Sequence, residues 1–395
     1  MSASESSAQP RRERPRLGGR VDPAFRAVGE RFAEALVGPE LGAALTVIVG
    51  GRPVVELWGG FADRRRTRPW RSDTLVCGFS TTKAVTAMVI LDAVAEGALE
   101  LDAPLVLHWP AFAGDGREDV TLRQVLAHRA GLPGYRREAG LAPQDLLDPE
   151  RMTDALTRER PFWTPGEAHG YHARTFGLLL GEVLRRATGE TVGTRLRRRL
   201  TGPRALDLHI GLPMQAHDRC AELVPAPAGT SIPEASRPMV RAMADADTVT
   251  GAAFSVPAMP RGAANTARWR EIEQPAMNGH TTASGLAGLY AALIAGDILT
   301  PSLLGEACRE HSDGEDRVLL QHSTFGLGFM LSRATLPLGF TDAAFGHPGA
   351  GGSLAFADPS AELAFAFLMN RQRPGAVTGN ETALALLDAV RECLA

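Results

Sequence analysis

The chain holds 395 residues and a formal net charge of −3, from 42 basic and 45 acidic side chains. That length accommodates a large core in more than one lobe, and the near balance of charge gives no field that would draw nucleic acid or an anionic membrane as partner. No apolar run is long enough to span a bilayer.

In chain order, residues 1–19 are polar and poor in apolar side chains, and are expected to form a disordered tail. No apolar stretch follows Arg11-Arg12, so neither a secretory nor a twin-arginine leader is expected. Asp22-Pro23 opens a helix to about Val37, with proline at its first position. Leu45–Val49 and Val54–Trp58, joined through Gly50-Gly51, read as a β-hairpin.

The next segment carries chemistry. Of the 42 basic residues only Lys83 is a lysine, and it sits in Ser80-Thr81-Thr82-Lys83. Arginine stays protonated at any ordinary pH, whereas a buried lysine can lose its proton and act as a base. Ala84 to Leu91 is apolar nearly all round, which marks a helix buried on most sides. Residues i and i+3 share a helix face, so Ser80 and Lys83 should point the same way from its first turn. The helix N-terminus adds unpaired N–H groups and partial positive charge, both suited to a developing oxyanion. The pattern reads as an activated serine.

Beyond it, Leu122–Pro133 ends in Gly-Leu-Pro, and Trp163-Thr-Pro-Gly-Glu precedes Tyr171-His172-Ala173. Phe176, Leu179, Leu180, Val183, Leu184 and Ala187 then repeat at helical spacing, with Gly189 placed to end the helix. Of the three tyrosines, Tyr171 stands just before this helix, Tyr135 could flank a pocket, and Tyr290 falls in an apolar helical pattern that favours core packing. Residues 224–262, rich in Pro, Ala and Ser, suit a long loop over the site. An apolar helix follows from Thr281 to Gly296, then strands around 325–370. Of these, Leu354–Pro359 and Leu363–Leu368 read as antiparallel neighbours next to His347-Pro348-Gly349. A helix from about Thr378 closes the chain, with capping-box spacing in Thr378-Gly-Asn-Glu381. The other nine histidines show no metal-ligand spacing, and no G-x-S-x-G, H-E-x-x-H or strand-borne G-x-G-x-x-G is present. No metal or cofactor is expected. Four widely separated cysteines, Cys77, Cys220, Cys308 and Cys393, read as reduced thiols of a cytoplasmic protein.

The ordered set, Asp73–Lys83, Leu122–Pro133, Trp163–Ala173 and Phe345–Ser353, resembles the motifs of the serine β-lactamase and penicillin-binding-protein superfamily. The closest likeness is to the class C-like branch, with its family VIII carboxylesterases and related transacylases, and it covers roughly residues 20–395. The resemblance implies an α/β (α+β) fold: an antiparallel sheet flanked by N- and C-terminal helices, with an inserted, mainly helical lobe. Residues 20–80 and 278–395 would form the sheet domain and 81–277 the helical one, with the active site between the lobes. It also implies Ser80 as acyl-enzyme nucleophile, Lys83 as its base, and Tyr171 as proton shuttle held ionised by the lysine. His347 and Gly349 would line the site, and the N–H groups of Ala350 and Ser80 would form the oxyanion hole, with His347 donating to substrate or leaving group. The chain departs from β-lactamases at Ala173, where they carry Asn, and at His347, where they carry Lys. Both changes remove groups that grip a β-lactam, which favours small esters, thioesters or amides without a carboxylate handle. The expected partner is a small-molecule acyl donor. Hydrolysis leads, transfer to an amine or alcohol acceptor is the alternative, and a non-catalytic penicillin-binding-like sensor is the third reading.

Overall fold

The computed structural model describes residues 17–333, 338–375 and 380–395. Its main sheet contains β1 (Leu17–Val21), β2 (Gly42–Val49), β3 (Arg52–Gly60), β4 (Ser312–Glu315), β5 (His322–Phe325), β6 (Met330–Leu331), β7 (Phe345–Pro348), β8 (Leu354–Asp358) and β9 (Leu363–Met369). All neighbours are antiparallel, in the order β1-β3-β2-β9-β8-β7-β6-β5-β4. The predicted hairpin is β2–β3. Gly50 and Gly51 take φ of +55° and +71°, the left-handed pair that a two-residue type I′ turn requires.

The expected tail needs a correction at its end. Leu17, Gly18 and Gly19 lie in β1, paired with Gly59, Trp58 and Leu57 of β3. Backbone pairing holds this segment despite its few apolar side chains, helped by an Arg20–Glu56 ion pair at 2.6 Å. Residues 1–16 lie outside the described residues.

Seven helices bear on the site: α1 (Arg26–Val37), α2 (Thr81–Ala95), α3 (Thr175–Thr188), α4 (Arg237–Met243), α5 (Val249–Ser255), α6 (Ala283–Ile294) and α7 (Glu381–Leu394). The period of two in β9 decides how they pack. Leu363, Phe365, Phe367 and Met369 enter one core with Val28, Phe32 and Leu36 of α1 and Leu386, Leu387 and Val390 of α7. Ala364, Ala366 and Leu368 face the other way, with Ala355 and Ala357 of β8, into the core that holds α2 and α6. Small side chains on that face let helices lie close to the sheet. A second, three-stranded sheet joins Val76–Cys77, His280–Thr281 and Leu208–His209, and delivers the chain to the start of α2.

Residues 224–262 are not a structureless loop. They contain α4 and α5, whose apolar positions are too few for a periodic signal. The segment does reach the site, because Phe254 of α5 lies 6.1 Å from Tyr171, ring centre to ring centre. The closing helix starts at Glu381, with Asn380 as its cap accepting from Ala383 N–H at 2.8 Å. Thr378 and Gly379 of the expected capping box lie outside the described residues. Among the described residues no helix is long and apolar enough to cross a membrane, and the four cysteines are unpaired.

Candidate active site

Ser80 stands at the junction of two conformations. Phe79 before it has φ +46°, a left-handed backbone that costs a non-glycine residue about 1–3 kcal/mol. Ser80 itself is right-handed, and its hydroxyl makes no capping bond to the helix. The two threonines after it hold the turn instead. Thr82 Oγ donates to Phe79 O at 2.5 Å and accepts from Gly279 N–H at 2.8 Å, while Thr81 Oγ donates to Gly78 O at 3.2 Å. The first N–H groups of α2 are taken within the turn, from Thr81 to Gly78 O, Thr82 to Phe79 O and Lys83 to Ser80 O. The Ser80 N–H has no acceptor among the described residues. Of the donors expected at this helix start, one is left free.

Lys83 is fully buried and meets no carboxylate among the described residues. Its Nζ lies 2.7 Å from Ala173 O, 3.1 Å from Ala276 O and 3.3 Å from Ser80 Oγ. Burial pushes its pKa well below the usual lysine range. Its N–H groups reach the two carbonyls and the Ser80 hydroxyl oxygen, and loss of one proton would leave a lone pair for the Ser80 hydroxyl. Both carbonyls are presented by fixed backbone. Asn278 Nδ2 donates to Trp269 O and Ile272 O at 2.7 Å each, which folds the loop bearing Ala276. Ala173 belongs to the segment that leads into α3.

That segment also carries Tyr171, whose ring centre is 4.6 Å from Lys83 Nζ. Burial pushes the phenol above its usual value, with Ser80 opposing the shift and Asp316 adding to it. Both groups are thus driven toward their neutral forms, the reverse of the lysinium–tyrosinate pair that the resemblance implies. The neighbouring Arg174 is buried with no carboxylate partner among the described residues, and desolvation lowers it to about 10. It donates to Phe254 O and Pro257 O, which fastens the α5 region beside Tyr171. Tyr135 does not line a pocket through its hydroxyl, which donates to Met152 O at 2.8 Å from a fully buried position. Tyr290 is in the core.

β7 brings the third segment across. His347 is 2% exposed, with its ring centre 5.8 Å from that of Tyr171. Its Nδ1 donates to Pro348 O at 2.7 Å, and burial, with Lys83 adding, lowers it to about 3. The imidazole is therefore neutral, and its unpartnered Nε2 carries a lone pair. The free ring nitrogen of His347 is therefore an acceptor, where a donor to substrate was expected. Gly349 passes directly over the Gly78 carbonyl, and any Cβ there would overlap it. The Ala350 N–H, like that of Ser80, has no acceptor among the described residues, and Ala350 is exposed. Among the described residues no three His, Cys, Asp or Glu side chains are placed to hold a metal ion.

The sequence reading missed His128 and Asp316, which hold the Tyr171 backbone. Tyr171 N–H donates to Asp316 Oδ1 at 3.0 Å, and His172 N–H donates to His128 Nδ1 at 3.1 Å. His128 stands three residues before Gly131 in a segment already singled out, so a titratable residue inside a motif was the available signal. Asp316 gives none, because a turn far along the chain brings it there.

The sequence model of the family described as Beta-lactamase matches residues 30–389. The chain belongs to the beta-lactamase family. Within this serine-hydrolase family it is 34% identical over 366 residues to the Esterase/beta-lactamase LipL of Mycobacterium tuberculosis (strain ATCC 25618 / H37Rv), covering 90% of this chain and 83% of that protein. Among solved structures it is similar to a penicillin-binding protein homologue from Caulobacter crescentus, at 38% identity and TM-score 0.86, covering 96% of this chain and all of that one. A family VIII carboxylesterase aligns at 35% identity and TM-score 0.85, with 96% of this chain and 100% of the other covered. The nine-stranded antiparallel sheet with its helices is the beta-lactamase-like fold expected from the motifs.

Proposed function

We propose that the protein hydrolyses a small, uncharged ester through an acyl-enzyme on Ser80. The observation that carries this reading is the contact between Lys83 Nζ and Ser80 Oγ at 3.3 Å, made by an amine whose pKa burial lowers well below the usual lysine range. Ser80 Oγ attacks the acyl carbonyl carbon while its proton passes to Lys83. Tyr171, beside both groups, relays that proton to the leaving alkoxide as the ester C–O bond breaks. Water then attacks the acyl carbonyl carbon, the Ser80 Oγ–acyl bond breaks to release the free acid, and the proton lost by water returns through the same groups to Ser80. The free N–H groups of Ser80 and Ala350 receive the oxyanion, and each such donor contributes about 3–4 kcal/mol to the transition state. Three features support an uncharged acyl donor. His347 is neutral, Ala173 carries no polar side chain, and Arg174 is occupied by carbonyls. The names of the similar esterase and carboxylesterase agree with an ester as substrate. The four unpaired thiols support a reducing, cytoplasmic setting.

Incubation with an activated short-chain ester followed by intact-mass measurement tests the nucleophile. Wild type should gain one acyl group and Ser80→Ala none; an equal adduct on both proteins would refute the assignment. Transfer to an amine or alcohol is the second reading, favoured by α5, which packs beside Tyr171 where it can shield an acyl-enzyme from water. Saturable diversion of product from free acid to one acceptor in a panel would establish transfer. Free acid alone, at a rate indifferent to every acceptor, supports the hydrolase.

A further inference from the structure

Three consecutive N–H groups around Tyr171 are bound by groups outside any helix or sheet. Gly170 N–H donates to His128 O at 3.1 Å, Tyr171 N–H to Asp316 Oδ1 at 3.0 Å, and His172 N–H to His128 Nδ1 at 3.1 Å. One residue therefore accepts the N–H groups of Gly170 and His172, with Asp316 accepting that of Tyr171 between them. The Asp316 oxygen is itself fixed, since it also accepts from Val318 and Leu319 N–H at 2.8 Å each. The bracing is reciprocal. His172 Nε2 accepts from Leu132 N–H at 3.1 Å, four residues beyond His128, and its Nδ1 donates to Gly170 O at 2.7 Å.

His128 meets demands that packing alone would not require. It is completely buried, and its backbone is left-handed at φ +59°, a region uncommon outside glycine and asparagine. Because Nδ1 accepts a hydrogen bond, the neutral ring carries its proton on Nε2, and that donor has no partner among the described residues. A hydrophobic side chain in this aromatic nest, with Phe325 at 4.5 Å and Phe176 at 5.0 Å between ring centres, would avoid the orphaned donor. It would also lose the acceptor for His172 N–H.

We propose that His128 is the positioning residue for Tyr171: by accepting Gly170 and His172 N–H it fixes the Tyr171 backbone, and through it the place of the phenol beside Ser80 and Lys83. The inference rests on the reading of Tyr171 as the proton relay. His128 touches neither substrate nor reacting atoms in this role. A misplacement of about 1 Å costs about 100-fold in rate, so the clamp should be visible in kcat.

Two substitutions separate the acceptor from the backbone strain. His128→Asn keeps an acceptor near the Nδ1 position and tolerates the left-handed backbone; His128→Gly tolerates the backbone but removes the acceptor. His128→Asn should stay within about fivefold of wild-type kcat, whereas His128→Gly should lose about 100-fold in kcat with KM changed by less than about threefold. Equal activity of the two variants would overturn the proposal. In a Tyr171→Phe background, His128→Gly should have little further effect, because the two residues act as a unit. A full additional loss there would show that His128 acts elsewhere.

Two measurements do not depend on catalysis. Hydrogen exchange across residues 168–174 should lose protection in His128→Gly and keep it in His128→Asn. Nitrogen NMR of wild type should show His128 Nδ1 unprotonated and Nε2 protonated, whatever the folding of the variants; the opposite tautomer would overturn the clamp. If Tyr171→Phe retains full activity, the relay reading falls, while the exchange and tautomer results still decide whether the clamp exists.

Discussion

At the scale of the residue, Lys83 is held by two carbonyls and a hydroxyl, with no carboxylate among the described residues to keep it charged. Lys83→Arg restores a permanent cation and removes the lone pair, so kcat should fall at least ~100-fold in a folded protein. Near-normal turnover would mean that charge suffices and that Tyr171 handles the proton unaided. The pH profile has a defined sign. The active amine is the deprotonated form, so kcat should fall as pH drops through the depressed pKa of Lys83. It should reach its plateau well before the ordinary lysine value of about 10.4; an acidic limb still rising there would contradict a desolvated base. The Ser80–Lys83 pair was legible because i, i+3 spacing on a helix is fixed by local geometry alone. The tautomer of His347 was not, because the hydrogen bond that sets it forms only once β7 turns at Pro348.

At the scale of the element, the site depends on how closely β7 and the start of α2 approach. Gly349 lies over the Gly78 carbonyl with no room for a side chain. Gly349→Ala should push the loop carrying Ala350 away from Ser80 and cost about 100- to 1,000-fold in kcat, as removing one oxyanion donor does. The check is steady-state kinetics alongside a melting curve that shows a folded protein; unchanged kcat would take Ala350 out of the oxyanion hole. Helical periodicity made α3 readable, long apolar runs made α2 and α6 readable, and the Gly50-Gly51 turn marked the β2–β3 hairpin. β1 was not readable, because its partner strand supplies what its own side chains lack. Likewise α4 and α5, each of seven residues, pack only a few side chains and leave no periodic trace.

At the scale of the whole molecule, the fold buries histidines in neutral form. His172, His280 and His347 are each lowered to about 3, chiefly by burial. In the unfolded chain they would protonate near pH ~6.5. Between these values the unfolded state binds more protons, so stability is full above about pH 6.5 and falls as the pH drops toward 3. Each group steepens the loss by up to about 1.4 kcal/mol per pH unit. Melting temperature should therefore decline steeply from about pH 6.5 downward, and His280→Gln, on the small sheet, should make that decline shallower. A slope unchanged by this substitution would place the acid sensitivity elsewhere. The same burial has a use at the other end of the titration. Lys83 is the chain's only side-chain amine and is wholly enclosed in the native state. An amine-reactive label can reach that side chain only when the helical core around α2 opens. With an aldehyde and a hydride reductant as the label, which do not acylate Ser80, its appearance on Lys83 in peptide maps would act as a clock for opening events, counted at one known side-chain atom.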